Sequence, residues 1–247
     1  MKRVQLHIII IIIISTIITS YTIASDSDVS CSAYNLYKLA QNKLYNADYK
    51  GAVQDLVNLQ NLRLFDPCPQ QIYLDLIYAH YKLNDFKLAN NYIKCFFELY
   101  PNHKHFDYIL YMHGVINMCL DDDNKTLIKY LNMNWFDRNP TYARTAFHSF
   151  VKLIHEYPDS RYFADTYRRL VFLKNRIAEY ELAIVKFYAK RGAYISVIAR
   201  VEKMLYCFPD TQATRRALCY MQQAYQNICL PEQAEKVAKI IVANPIY

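Results

Sequence analysis

The chain has 247 residues, a formal net charge of +7 and only three glycines, against 24 tyrosines and 12 phenylalanines. Three glycines are too few for the tight turns of an all-β protein or for the phosphate loops of a nucleotide-binding α/β protein, so the composition favours helices. The lysines are spread along the chain without a dense basic block. We therefore attribute the positive charge to overall composition and expect no nucleic-acid partner.

Residues 1–24 have the pattern of an export signal. Lys2 and Arg3 precede an apolar stretch from Val4 to Ile23, as in the charged and apolar regions of a signal peptide. About 20 apolar residues also suffice to span a bilayer, so an uncleaved anchor is the alternative. Both interpretations place the rest of the chain outside the cytoplasm, with residues 25–33 as a short tether.

After residue 34, apolar residues recur with helical periodicity. Three apolar stripes each lead to an aromatic residue followed by proline, at Tyr100-Pro101, Tyr157-Pro158 and Phe208-Pro209. Proline cannot continue a helix and restricts the residue before it, so a helix is predicted to end at each of these pairs.

Small residues recur in phase with these helix ends. Ala89 and Ala146 lie twelve positions before a proline, and residues 48–52 match residues 85–89, which gives Ala52 the same place. The two helices of a hairpin approach closely where they cross, so we expect all three alanines to be buried at crossings.

The period of these patterns is close to that of the tetratricopeptide repeat. We predict an all-α right-handed superhelix of about five tetratricopeptide-like helix hairpins, in a single domain over residues 34–247. The third unit contains a long insert at about residues 121–140, where we expect extra turns, and the first helix of the fourth unit is overlong, through Glu179. The five units lie near residues 34–66, 70–101, 107–158, 163–209 and 212–244.

Groups that bind metals or catalyse reactions are not evident. We interpret His103 and His105 as polar loop residues and Asp121–Asp123 as a solvated helix end, since the pattern of a calcium loop is missing. No Ser/His/Asp or Cys/His group has a recognisable local signature, so we expect no catalytic activity and no cofactor. No cysteine pair has CxxC spacing. We expect six cysteines to behave as small core residues: Cys68, Cys95, Cys119, Cys207, Cys219 and Cys229.

Several segments, in order and spacing, resemble the BamD family of outer-membrane protein assembly factors, which are lipoproteins of the β-barrel assembly machinery. The similarity covers about residues 35–244. The residues that carry it are Gln70–Ala79, Asp107-Tyr108, Tyr111-Met112 with Gly114, Asp137–Pro140 followed by Ala143-Arg144 and Ala146-Phe147, Arg169–Lys174, Pro209–Thr214 and Ala234–Ile241.

The resemblance implies a scaffold at the periplasmic face of the outer membrane. Its expected partners are the POTRA domains of the barrel-forming assembly protein, accessory assembly lipoproteins and unfolded outer-membrane proteins as clients. The alternative is a periplasmic repeat adaptor of another envelope pathway, in cell division or peptidoglycan coordination.

Candidate contact residues follow from the repeat geometry and the resemblance. The first helix of each hairpin builds the inner wall of such an array, where polar and aromatic side chains can hold an extended peptide. For clients we expect Tyr37, Asn42, Tyr73, Tyr78 and Tyr81, with about half of these tyrosines serving in packing.

For the assembly partner, the pattern Arg200-Val201-Glu202 follows the family. Val201 lies on the core stripe, so Arg200 and Glu202 must flank it. An exposed arginine can form a bidentate pair with a partner carboxylate. The alternative is an ordinary surface arginine in an intrahelical pair.

Cys31 is the lipidation candidate, because family members carry an acylated cysteine. Here Asp28 stands where the lipoprotein signal has an apolar residue, although Ser30 is suitably small. Cleavage after Ala24 and an uncleaved anchor therefore remain alternatives to acylation. Attachment to the outer membrane is expected through lipid or through the partner.

Overall fold

The computed structural model describes residues 32–61, 69–122 and 138–245, and within these ranges every regular element is an α-helix. The signal, the tether, Cys31, Cys68 and most of the predicted insert lie outside the described residues. The described helices are α1 (residues 32–45), α2 (Tyr49–Asn61), α3 (Pro69–Lys82), α4 (Phe86–Leu99), α5 (Phe106–Asp122), α6 (Thr141–Glu156), α7 (Phe163–Lys190), α8 (Tyr194–Cys207), α9 (Gln212–Asn227) and α10 (Pro231–Ala243).

The described helices pair in chain order as five hairpins, which confirms the predicted all-helical repeat architecture. Their bounds follow the five predicted units, but α7 continues beyond Glu179 to Lys190. The chain divides into two compact units, up to Pro101 and from Asn102 onward. The first unit contains two hairpins and the second contains three. The expectation of one continuous domain stays a prediction.

The four hairpin turns that lie within the described residues share the same geometry. In each, one residue has positive φ, with values of 61° at Ala47, 59° at Asn84, 69° at Gly192 and 61° at Cys229. That residue donates its N–H to the carbonyl three positions earlier, and the next residue donates to the carbonyl five positions earlier, as Asn84 does to Tyr81 and Asp85 does to His80. This Schellman arrangement satisfies the last carbonyls of the first helix and reverses the chain.

The predicted proline stops are also confirmed. Tyr100, Tyr157 and Phe208 cap α4, α6 and α8 with nearly identical backbone angles, φ of −133° to −137° and ψ of 47° to 62°. These angles lie outside the helical region because the following proline ring excludes the residue before it from that region.

Small residues allow the helices of the first three hairpins to approach closely. Ala52, Ala89 and Ala146 are completely buried, as predicted. Gly114 in α5 serves the same purpose, because a Cβ atom there would lie only 2.1 Å from the Phe150 ring of α6. This contact sets the close approach of α5 and α6.

The interpretation of the cysteines as core residues is wrong for most of those described. Cys95, Cys207, Cys219 and Cys229 are exposed, and Cys119 is half-buried. Cysteine is small enough for either environment, so a helical pattern alone does not assign it to a face. Among the described helices, none combines the length and apolar character needed to cross a bilayer.

Candidate protein-binding surfaces

Tyr37 belongs to a polar ladder between the first two hairpins. Its hydroxyl donates to Asp75 Oδ2 at 2.8 Å, so α1 and α3 are joined directly. Gln41 donates to both Tyr37 and Asp75, and Gln71 donates to Asp75 Oδ1 at 3.1 Å. Burial raises the pKa of Asp75, while these hydrogen bonds oppose the shift. Asp75 was not among the predicted residues, although it lies in the segment Gln70–Ala79 that carries the resemblance.

Tyr73 lies in an aromatic cluster within the second hairpin. Its ring packs edge-on against Tyr92, with centroids 6.1 Å apart, and against Tyr100 at 5.9 Å. The His80 ring stacks on the Tyr92 ring, with centroids 5.4 Å apart. Burial lowers the pKa of the His80 imidazole. Tyr73 therefore packs α3 against α4 and is one of the tyrosines with a structural role.

The remaining client candidates are Tyr78 and Tyr81 on α3 and Asn42 on α1. Tyr78 contacts Tyr49 edge-on at 6.1 Å and has the Lys82 ammonium group 5.4 Å from its ring centroid. Tyr81 tilts against Phe86 at 6.2 Å. Both tyrosines are half-buried, whereas Asn42 on α1 is exposed. Each of these tyrosines has a packing contact and an accessible part.

Arg200 and Glu202 flank the buried Val201, as predicted. Arg200 Nη1 pairs with Glu181 Oε2 on α7 at 2.8 Å. The expectation of an intrahelical pair, held as the alternative for Arg200, is therefore wrong. Glu202 is exposed and lies near Tyr225, whose pKa is raised by burial and, in smaller measure, by this carboxylate.

A second tyrosine–aspartate contact joins the first helices of the third and fourth hairpins. The Tyr111 hydroxyl of α5 donates to Asp165 Oδ2 of α7 at 2.8 Å, as Tyr37 does to Asp75. Tyr162 stacks on the Tyr111 ring at 4.5 Å, and Arg169 Nε pairs with Asp165 at 2.6 Å, which lowers the pKa of that carboxyl. No local pattern in the sequence indicates this contact, because Tyr111 and Asp165 are 54 residues apart.

The interpretation of Asp121 as part of a solvated helix end is wrong. Asp121 is buried and pairs with Arg176 of α7, with Nε and Oδ2 3.3 Å apart. Arg176 is also buried and donates from Nη2 to the Arg138 carbonyl at 3.2 Å. Burial raises the pKa of Asp121, and the guanidinium group opposes the shift. Asp122 is exposed, and Asp123 lies outside the described residues.

Within residues 32–61, 69–122 and 138–245, no group of three or more His, Cys, Asp and Glu side chains could hold a metal ion. The His103 and His105 rings contact each other edge-on, with centroids 5.7 Å apart. The features available for recognition are thus polar ladders, aromatic rings and paired charges.

Comparison with known proteins gives consistent matches over this helical region. Residues 30–240 match the YfiO family model, described as outer membrane lipoprotein. The chain is similar to the outer membrane protein assembly factor BamD of Vibrio cholerae, at 36% identity over 85% of this chain and 87% of the relative. The corresponding values are 34%, 86% and 86% for BamD of Buchnera aphidicola, and 38%, 85% and 80% for BamD of Pasteurella multocida.

Proposed function

Because the chain belongs to the YfiO family of outer membrane lipoproteins, with BamD proteins among its relatives, we propose that it is a non-catalytic scaffold in outer-membrane protein assembly. The observation that carries the proposal is the extent of the family match, which runs from residue 30 to residue 240 and so includes most of all five hairpins. On this proposal the protein acts at the periplasmic face of the outer membrane and binds other proteins there. Its partners are the POTRA domains of the barrel-forming assembly protein and accessory assembly lipoproteins.

The partner surface is proposed to lie in the last hairpins, at Arg200 and Glu202. Glu202 is exposed, and 34% of the Arg200 side chain is exposed although it pairs with Glu181. An arginine whose position is fixed by a buried carboxylate loses little further rotamer freedom on binding, which favours a specific contact.

The client surface is proposed to lie in the first two hairpins, at Tyr37, Asn42, Tyr78 and Tyr81. Tyrosine presents an apolar ring and a polar hydroxyl at small entropic cost, and this suits an extended chain of mixed sequence. Tyr73 supports this surface from within the hairpin, through its contacts with Tyr92 and Tyr100.

Membrane attachment is proposed to use lipid on Cys31 or the assembly partner. Three acyl chains would hold the protein at the membrane, since stable anchoring needs more than one chain. Intact-mass spectrometry of the protein from cell envelopes distinguishes the alternatives. An acylated N-terminal Cys31 supports lipidation, whereas an unmodified chain beginning at Ser25 refutes it and makes attachment depend on the partner.

Depletion of the protein in its native host tests the proposed function. We expect folded β-barrel proteins in the outer membrane to fall as the protein is depleted, and to recover with a wild-type copy. Unchanged folded barrels together with a defect in septation or peptidoglycan would favour the alternative of an adaptor in another envelope pathway.

A further inference from the structure

Two arginines from different helices share one buried carboxylate in the second unit. Arg144 Nη2 of α6 lies 2.7 Å from Glu181 Oε1, and Arg200 Nη1 of α8 lies 2.8 Å from Glu181 Oε2. Only 2% of the Glu181 side chain is exposed, so α7 presents this carboxylate from the interior to the helices on both sides. Each oxygen of the carboxylate accepts from a different guanidinium group.

This arrangement fixes the positions of both guanidinium groups. A buried carboxylate is costly without partners, and each arginine compensates part of that cost through a charge-assisted hydrogen bond. Both groups bind the same carboxylate, so they are held side by side. The three side chains carry a net charge of +1, from two arginines and one glutamate.

Both arginines also remain accessible from the surface. The exposed fraction of the side chain is 39% for Arg144 and 34% for Arg200. A guanidinium group has five N–H donors, and the bond to Glu181 uses one nitrogen of each arginine. Donors of both groups thus remain for a ligand that approaches from solvent.

We propose that Arg144 and Arg200 form a single site for an aspartate or glutamate carboxylate of a protein partner, with Glu181 as the positioning residue beneath them. A net charge of +1 is matched by one carboxylate, and two adjacent guanidinium groups provide several donors for its two oxygens. The inference rests on the proposed function, in which Arg200 contacts the barrel-forming assembly protein. It adds Arg144, on a different helix, to that contact.

The test measures binding of the full chain to the purified barrel-forming assembly protein of the same organism, in detergent. Arg144→Gln and Arg200→Gln are each expected to raise the Kd roughly tenfold to a hundredfold, the loss typical of hydrogen bonds to a charged group. Each variant leaves Glu181 one arginine, so the fold is expected to persist, which circular dichroism checks. Arg216→Gln is the matched control, because Arg216 on α9 is 42% exposed and pairs with Glu179 of α7. Its Kd is expected to stay within about twofold, because Arg216 pairs with Glu179 and not with Glu181, the carboxylate that Arg144 and Arg200 share.

Different outcomes separate the inference from the proposed function. If Arg200→Gln weakens binding and Arg144→Gln does not, the two-arginine site is refuted while the scaffold stands. If the wild-type chain does not bind at all, the proposed function itself fails. Glu181→Gln, in a variant shown to be folded, is expected to weaken binding because the arginines lose their anchor. Tighter binding by that variant would overturn the positioning role and show that Glu181 only neutralises the arginines.

Discussion

Replacement of Gly114 by alanine is expected to destabilise the second unit through the contact between α5 and α6. An added Cβ would lie 2.1, 2.4 and 2.6 Å from three atoms of the Phe150 ring. To move from 2.1 Å to the 3.4 Å of ordinary contact, the ring must retreat by about 1.3 Å. Phe150 is completely buried, and its ring also packs against Tyr111 with centroids 6.3 Å apart, so the retreat disturbs neighbours.

The magnitude follows from two opposing effects. Overpacking of a core contact costs about 1–3 kcal/mol. Alanine in place of glycine within a helix gains roughly 0.5–1 kcal/mol. Since three ring atoms lie well inside contact distance, we expect the upper part of the overpacking range and a net loss of about 2 kcal/mol in the free energy of unfolding.

Urea denaturation followed by circular dichroism measures this loss. Gly51→Ala is the control, because the added Cβ would there meet mainly the exposed carboxylate of Asp48, which can move if it gives up its hydrogen bond to the Gly51 N–H. The loss of that cap, about 1 kcal/mol, is largely offset by the gain of alanine over glycine within a helix, so the net effect is expected to stay within about 0.5 kcal/mol. The double variant Gly114→Ala, Phe150→Leu should lose less than the sum of the single variants, because the smaller side chain makes room. An unchanged stability for Gly114→Ala would refute the close approach of α5 and α6.

Three further predictions concern stability. Cys229→Gly should raise the free energy of unfolding by roughly 0.5–1 kcal/mol, because glycine adopts the positive φ of 61° without strain. Gly192→Ala should lower the free energy of unfolding by a similar amount, and variants as stable as the wild type in urea denaturation would contradict the turn geometry. Arg176→Met should lose about 3–5 kcal/mol because Asp121 stays buried without its partner, and a smaller loss in the double variant with Asp121→Leu would identify the pair as the cause. Burial raises the pKa of Asp75 from 3.8, so its contribution to stability is full below pH 3.8 and is lost as pH rises through the folded-state pKa. The stability of Asp75→Asn relative to wild type should therefore rise between pH 4 and pH 7, and a constant difference would contradict the shift.

The hairpins were predictable because their signals are local. Proline after Tyr100, Tyr157 and Phe208 excludes the helical conformation at the preceding residue, wherever the helix packs. Alanine at a crossing is likewise selected by the distance between two helices that are adjacent in the chain. The end of α7 at Lys190 was less evident, since neither proline nor glycine follows Glu179 until Gly192.

The charge pairs and ladders were not predictable, because their partners are distant in the chain. Glu181 meets Arg144 across 37 residues and Arg200 across 19, and the two contacts involve different helices. In the sequence Asp121 stands beside two other aspartates, a pattern typical of a solvated helix end. Its burial depends on the ion pair with Arg176 of α7, which lies 55 residues further along the chain. The periodicity of one helix identifies which residues face inward. It does not identify which opposite charge they meet.

Isolation of the full chain from its native envelope tests the central claim most directly. The protein, tagged at its C-terminus, is purified from detergent-solubilised membranes, and the proteins that accompany it are identified by mass spectrometry. We predict enrichment of the barrel-forming assembly protein with its POTRA domains, and a loss of that enrichment in Arg200→Gln. Enrichment of peptidoglycan or division proteins, with the barrel-forming protein absent, would contradict the assembly scaffold.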